Sequence, residues 1–225
     1  MSDTTDELFA NNRRWAADIE QRIPGFFTKL LEQQKPQYLW IGCADSRVPA
    51  NELIGLLPGD VFVHRNVANV VTHSDLNALS VIQFAVDALQ VQHIMVVGHS
   101  RCGGVRAVLD NTRLGLADNW LQHVRDVRNM HQVFLDGVDP ERRIDALVEL
   151  NVLEQVRNVC HTTVVQDAWN RGQQVVVHGW VYELHNGLLQ DLKIRVSQVA
   201  EIAAVCGTAL GAIQQRYARP RSEQE

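Results

Sequence analysis

Apolar and polar positions along this chain alternate between two rhythms. Short apolar runs predict strands over 37–42, 60–65, 92–98 and 174–182, and the first and third close on Gly42 and Gly98. A fifth strand, 188–196, follows the turn signal His185-Asn186-Gly187 and returns antiparallel at the sheet edge. Helical spacing fills the rest. Residues 4–22 read as a helix that Pro24-Gly25 interrupts, with a second helix over 26–34. Ser74-Asp75 caps a helix whose apolar face is Leu76, Leu79, Ile82, Val86 and Leu89. Another helix opens near Gly103-Gly104. Further helices run through 119–135 and 140–171, and a last one fills 197–217. Helices alternating with strands imply an α/β fold, with a mostly parallel five-stranded sheet covered on both faces.

Composition narrows the class. A chain of 225 residues, 46% hydrophobic and 21% charged, suits one globular domain with a sizeable core. A net charge of −5 and the lack of any basic run argue against nucleic acid as a partner. No apolar stretch reaches membrane-spanning length, and the acidic Met1-Ser2-Asp3-Thr4-Thr5-Asp6-Glu7 has no apolar signal region, so a cytoplasmic protein is expected. Four cysteines there read as metal ligands or core residues: Cys160 and Cys206 as core. Arg216-Tyr217-Ala218-Arg219-Pro220-Arg221 reads as a solvated tail.

The candidate chemistry is a split ligand set. Cys43-Ala44-Asp45-Ser46-Arg47 follows the first strand, and His99-Ser100-Arg101-Cys102-Gly103-Gly104 follows the third. Two Cys, one His and one Asp suit tetrahedral zinc, and ligands leaving the carboxyl ends of two strands lie where open α/β sheets keep their sites. Two thiolates neutralise the charge of the ion. If water takes the fourth position, the metal acidifies it to a pKa of about 7. If Asp45 takes it, the site closes and resembles a structural one. Arg47, two residues beyond Asp45, can hold that carboxylate bidentately. Gly103-Gly104 at a helix start can serve packing, or turn backbone N–H groups toward an anionic product. His64 and His73 are candidate proton relays.

Taken with Val63-His64-Arg65-Asn66-Val67-Ala68-Asn69, Asn151-Val152-Leu153-Glu154-Gln155-Val156 and His178-Gly179-Trp180-Val181-Tyr182, these segments resemble the β-class carbonic anhydrases over roughly residues 5–195. The resemblance implies one zinc per chain on Cys43, His99 and Cys102, with carbon dioxide and bicarbonate as substrate and product. It implies that Asp45 gates the metal by alternating between zinc and Arg47. It suggests a sheet order of 2-1-3-4-5 and one domain over 1–225. Residues 1–34 would form a helical arm suited to a homodimer or homotetramer, and 197–225 a C-terminal helix and tail. Trp40, Gly42, Arg65 and Tyr182 match the type II subset, in which a Trp-Arg-Tyr trio holds a regulatory bicarbonate away from zinc. Ser100-Arg101 stands where many relatives carry an aromatic residue and Gly. Two other functions fit the same residues: hydrolysis of carbon disulfide or carbonyl sulfide, and a non-catalytic zinc protein whose Asp45 never leaves the metal.

Overall fold

The computed structural model describes residues 4–32 and 34–218. The chain divides after Lys35 into two compact units. The first holds α1 (Thr4–Arg22) and α2 (Phe26–Glu32). Its turn is closed by Glu20, whose Oε1 accepts from the Gly25 amide at 2.7 Å, and by an edge contact between Trp15 and Phe27.

The second unit runs in the order β1 (Tyr38–Cys43), α3 (Ala50–Leu53), β2 (Val61–Asn66), α4 (Leu76–Gln83), β3 (His93–His99), α5 (Gly103–Leu109), α6 (Ala117–Met130), α7 (Gln132–Gly137), α8 (Arg143–Cys160), α9 (Thr163–Asn170), β4 (Val176–Glu183), β5 (Leu188–Val196) and α10 (Ile202–Tyr217). The sheet order is β2-β1-β3-β4-β5, and only the β4–β5 pairing is antiparallel. Topology and strand placement therefore agree with the sequence, with bounds moved by one or two residues. None of the described helices is long and apolar enough to cross a membrane.

The period-2 alternation of the strands sorts their side chains onto two faces. Leu39, Ile41, Ile94, Val96, Val177 and Val181 point into the main core, where α8 and α10 pack. Trp40, Met95 and Val97 point the other way, into a smaller cluster with Val48 and Ala50. Cover is thus uneven within this unit, whereas the alternation predicts helices on both faces. Among the described residues of this unit, the second-face cluster takes its helical contacts from the short α3 and the residue after it, and Val63 there is 36% exposed.

Three details depart from expectation. Asp75 caps α4 by accepting from the Asn77 amide at 3.0 Å, but Leu76 is exposed and the buried residues are Ala78, Ile82, Ala85 and Val86. The cap puts Leu76 at the solvent-facing helix start, and a π-helical turn over Phe84–Ala88 shifts the apolar stripe. The predicted solvated tail is anchored at its start. Tyr217 donates to Glu149 Oε1 at 2.8 Å and Arg216 to Glu149 Oε2 at 2.5 Å, both inside the α8–α10 contact. Arg219-Pro220-Arg221 lies outside the described residues. Cys160 and Cys206 are fully buried, as the core reading requires.

Candidate metal centre

Parallel pairing brings the carboxyl ends of β1, β2 and β3 to one end of the sheet. Cys43 is the last residue of β1 and His99 the last of β3, and Cys102 follows a tight turn through Arg101, whose φ is +54°. The three ligand atoms lie within 4.8 Å of one another, and all three residues are buried. Cys43 Sγ and Cys102 Sγ are 3.9 Å apart.

The surroundings fit a cation. His99 Nδ1 is 3.1 Å from the Ser100 carbonyl oxygen, which fixes the ring and leaves Nε2 to face the cysteines. That Nε2 is buried and has no hydrogen-bond partner. A buried ring nitrogen without a partner is costly unless a metal takes its lone pair. The thiols behave as a pair. A hydrogen bond from Cys102 draws the Cys43 thiol down, helped by His99 and by the Asp45 and Ala68 amides. The same contact, with burial, pushes the Cys102 thiol up against the Gly104 and Val105 amides. A divalent ion between two buried sulfurs 3.9 Å apart would favour the thiolate form of both. Two sulfurs and an imidazole are a zinc donor set.

Asp45 stands beside this trio. Arg47 grips it through Nε to Oδ1 at 2.9 Å and Nη2 to Oδ2 at 2.7 Å, and the Arg47 amide adds a third bond to Oδ1 at 3.0 Å. These bonds hold the carboxyl well below the ordinary range for aspartate. Its Oδ2 is still 3.7 Å from His99 Nε2, so the carboxylate overlooks the metal position.

The other candidates fall as follows. Gly104 needs no product to explain it: an added Cβ would sit 3.0 Å from Leu121 Cδ2 and 3.1 Å from Val67 Cγ1. At Gly103 an added Cβ meets nothing. Trp40 and Tyr182 share the second face of the sheet, and the Trp40 Nε1–H is buried without an acceptor. An added Cβ at Gly42 would overlap that nitrogen, so glycine is required there. Arg65, opposite Gly42 in the β1–β2 register, donates from Nε to the Cys43 carbonyl at 2.9 Å and from Nη2 to the Asp45 carbonyl. His64 is buried beside the Asn66 amide nitrogen at 3.1 Å, and burial pushes its pKa down, which favours a neutral structural ring. His73 lies on a cleft with His123 and Asp126.

Sequence reasoning missed what holds the metal loop. Ala68 adopts φ +64° and its N–H points at Cys43 Sγ at 3.4 Å. Three polar residues on one side of α8 sustain that strained turn. Asn151 donates to the Ala68 carbonyl at 2.9 Å, Gln155 accepts from the Val71 amide at 2.8 Å, and Asn158 donates to the Val71 carbonyl at 2.8 Å. The signal was available as amides spaced four and three apart on an otherwise apolar helix face.

Comparison with known proteins agrees with this geometry. The carbonic anhydrase family profile matches residues 38–189. A carbonic anhydrase of Emericella nidulans is 50% identical over 195 residues, 86% of each chain. A β-carbonic anhydrase of Coccomyxa, solved with acetazolamide, superposes with a TM-score of 0.85 at 40% identity, covering 91% of this chain and 92% of that one. One of two tetrameric β-carbonic anhydrases of Sordaria macrospora gives 0.81 at 37% identity, covering 86% and 99%. Likeness of this extent, over sheet and ligand loops alike, places the chain in the β-class carbonic anhydrases, which are zinc enzymes.

Proposed function

We propose that the chain interconverts carbon dioxide and bicarbonate, that Asp45 gates the metal centre, and that a bicarbonate on the second face of the sheet favours the closed gate. The observation that carries the gate is the position of Asp45, held by the Arg47 fork yet 3.7 Å from His99 Nε2. Zinc held by Cys43, His99 and Cys102 would supply the Lewis acidity that makes a nucleophile of water near neutral pH. Asp45 on Arg47 stays ionised, accepts a hydrogen bond from the donor at the reacting centre and orients it. Asp45 released from Arg47 has the reach to join the ligand set and block the site. The backbone amide of Gly103, an exposed residue at the start of α5, is our candidate contact for the product anion.

The regulatory part rests on Trp40, Gly42, Arg65 and Tyr182. The unpartnered Trp40 Nε1–H is a donor in want of an acceptor, and Gly42 keeps the space beside it clear. Arg65 ties this region to the gate, because its guanidinium holds the carbonyls of Cys43 and Asp45. An anion that draws Arg65 away loosens the segment carrying Asp45. A ligand shifts the gate only by binding one state better than the other. From the Sordaria tetramers we infer a homodimer or homotetramer.

Inhibition of carbon dioxide hydration by bicarbonate, at fixed pH and ionic strength, tests this reading. Tyr182→Phe should weaken inhibition with zinc retained, and Arg65→Ala should weaken it further. Identical inhibition curves for wild type and Tyr182→Phe would return the trio to a packing role.

A further inference from the structure

A cleft on the main-core side, where the turn after β3, α5, α6 and the start of α8 converge, has chemistry that the carbonic anhydrase reaction does not use. Its volume is about 610 Å³, within the range of small-molecule sites. Four guanidinium side chains line it: Arg101, Arg106, Arg128 and Arg143.

These cations are poorly matched by the protein. Arg101 makes no hydrogen bond or ion pair among the described residues. Arg143 donates from Nη2 to the Val138 carbonyl at 3.2 Å, but its Nε–H is buried with no acceptor. Arg128 uses only Nη1, at 3.4 Å to the Val108 carbonyl and 3.2 Å to Asn111 Oδ1. Arg106 has a long contact with Asp110, at 4.0 Å. A buried guanidinium N–H without an acceptor is among the costlier gaps a fold can hold. The first turn of α8 opens beside it at Arg143, with no side chain capping it. The positive dipole end there favours the same sign of ligand, although Asp145 in that turn already answers part of it.

We propose that this cleft binds a phosphorylated polyol or sugar. Several guanidiniums converging on one cavity suit an anion with several charged oxygens, and a phosphoryl group divides its oxygens among forks as a single carboxylate does not. The acids Asp110, Asp136 and Glu141 on the lining repel a bare anion but accept hydrogen bonds from hydroxyl groups. The lining thus supplies arginines for the phosphate and carboxylates for the hydroxyls. Arg101 belongs to both this cleft and the loop between His99 and Cys102, which sets the cleft beside the metal centre yet apart from it.

The test is isothermal titration calorimetry of the zinc-loaded protein with glucose 6-phosphate as probe and glucose as control. Saturable binding at one site per chain is expected, with none for glucose. Arg101→Ala, which removes a side chain without protein partners, should weaken binding at least tenfold. Arg128→Gln and Arg143→Gln should do the same, with folding checked by near-ultraviolet circular dichroism. Absence of saturable binding to wild type overturns the proposal. So does binding that Arg101→Ala retains in full, because the ligand then sits elsewhere, as at the metal.

Discussion

The Oδ2 of Asp45 and the Nε2 of His99 stand 3.7 Å apart, although one residue follows β1 and the other ends β3. Parallel pairing of these neighbouring strands puts a carboxylate and a metal-ready imidazole within one atom's width, while Arg47 keeps the carboxylate to one side.

Removing that hold isolates its role. Arg47→Ala should keep zinc, since no ligand is touched, and should lower carbon dioxide hydration on the order of 10²-fold, the size of a positioned proton-handling group. Zinc content by atomic absorption and stopped-flow hydration check it. Unchanged turnover would show that Asp45 needs no partner.

The ligand assignment separates the four cysteines. Cys43→Ser and Cys102→Ser should each lose most zinc, because a neutral hydroxyl replaces a thiolate poorly. Cys160→Ala should retain one zinc per chain and lose about 1 kcal/mol of stability, as a small cavity opens in the core. Metal analysis and urea unfolding read the two effects.

His178 and His93 form a pair on the second face, with Nε2 of one 3.1 Å from Nδ1 of the other. Burial, then His93 and Arg195, pushes the pKa of His178 down to about 4. A histidine whose pKa is depressed on folding binds fewer protons in the native state between that value and its ordinary value of about 6.5. Stability should therefore rise with pH across this window and fall as pH drops through it, by on the order of 1–2 kcal/mol after allowing for partial solvent screening. Urea unfolding at pH 5 and pH 7 should show this gain in wild type and less of it in His178→Gln. Equal gains in both would assign the slope to other groups.

The start of the C-terminal segment should matter to stability. Tyr217→Phe removes a hydrogen bond to the buried carboxylate of Glu149 and should cost about 1–3 kcal/mol. Urea unfolding at pH 7 measures it; no loss would mean that Arg216 alone satisfies Glu149.

Much of this was readable in the residues. The ligands were legible because Cys43 and His99 close apolar strand runs, and strand ends are where an α/β sheet presents chemistry. The Asp45–Arg47 pair was legible from a two-residue spacing. The strained turn at Ala68 was not, because alanine has no local preference for positive φ, and hydrogen bonds from residues over eighty positions away impose it. The π turn over Phe84–Ala88, which packing selects, was not legible either. The sequence did not reveal the hold of Arg65 on two backbone carbonyls, because that contact depends on strand register.

The most direct test of the account is the carbon dioxide hydration rate of zinc-loaded Asp45→Asn beside zinc-loaded wild type, with metal content measured on the same samples. Asn keeps the shape of Asp45 but loses the charged carboxylate that Arg47 holds and that accepts a hydrogen bond from the donor at the reacting centre. The account predicts one zinc per chain in both proteins, rapid hydration by wild type, and a loss of at least 10²-fold in the variant. Equal hydration by both proteins at equal zinc content would contradict it.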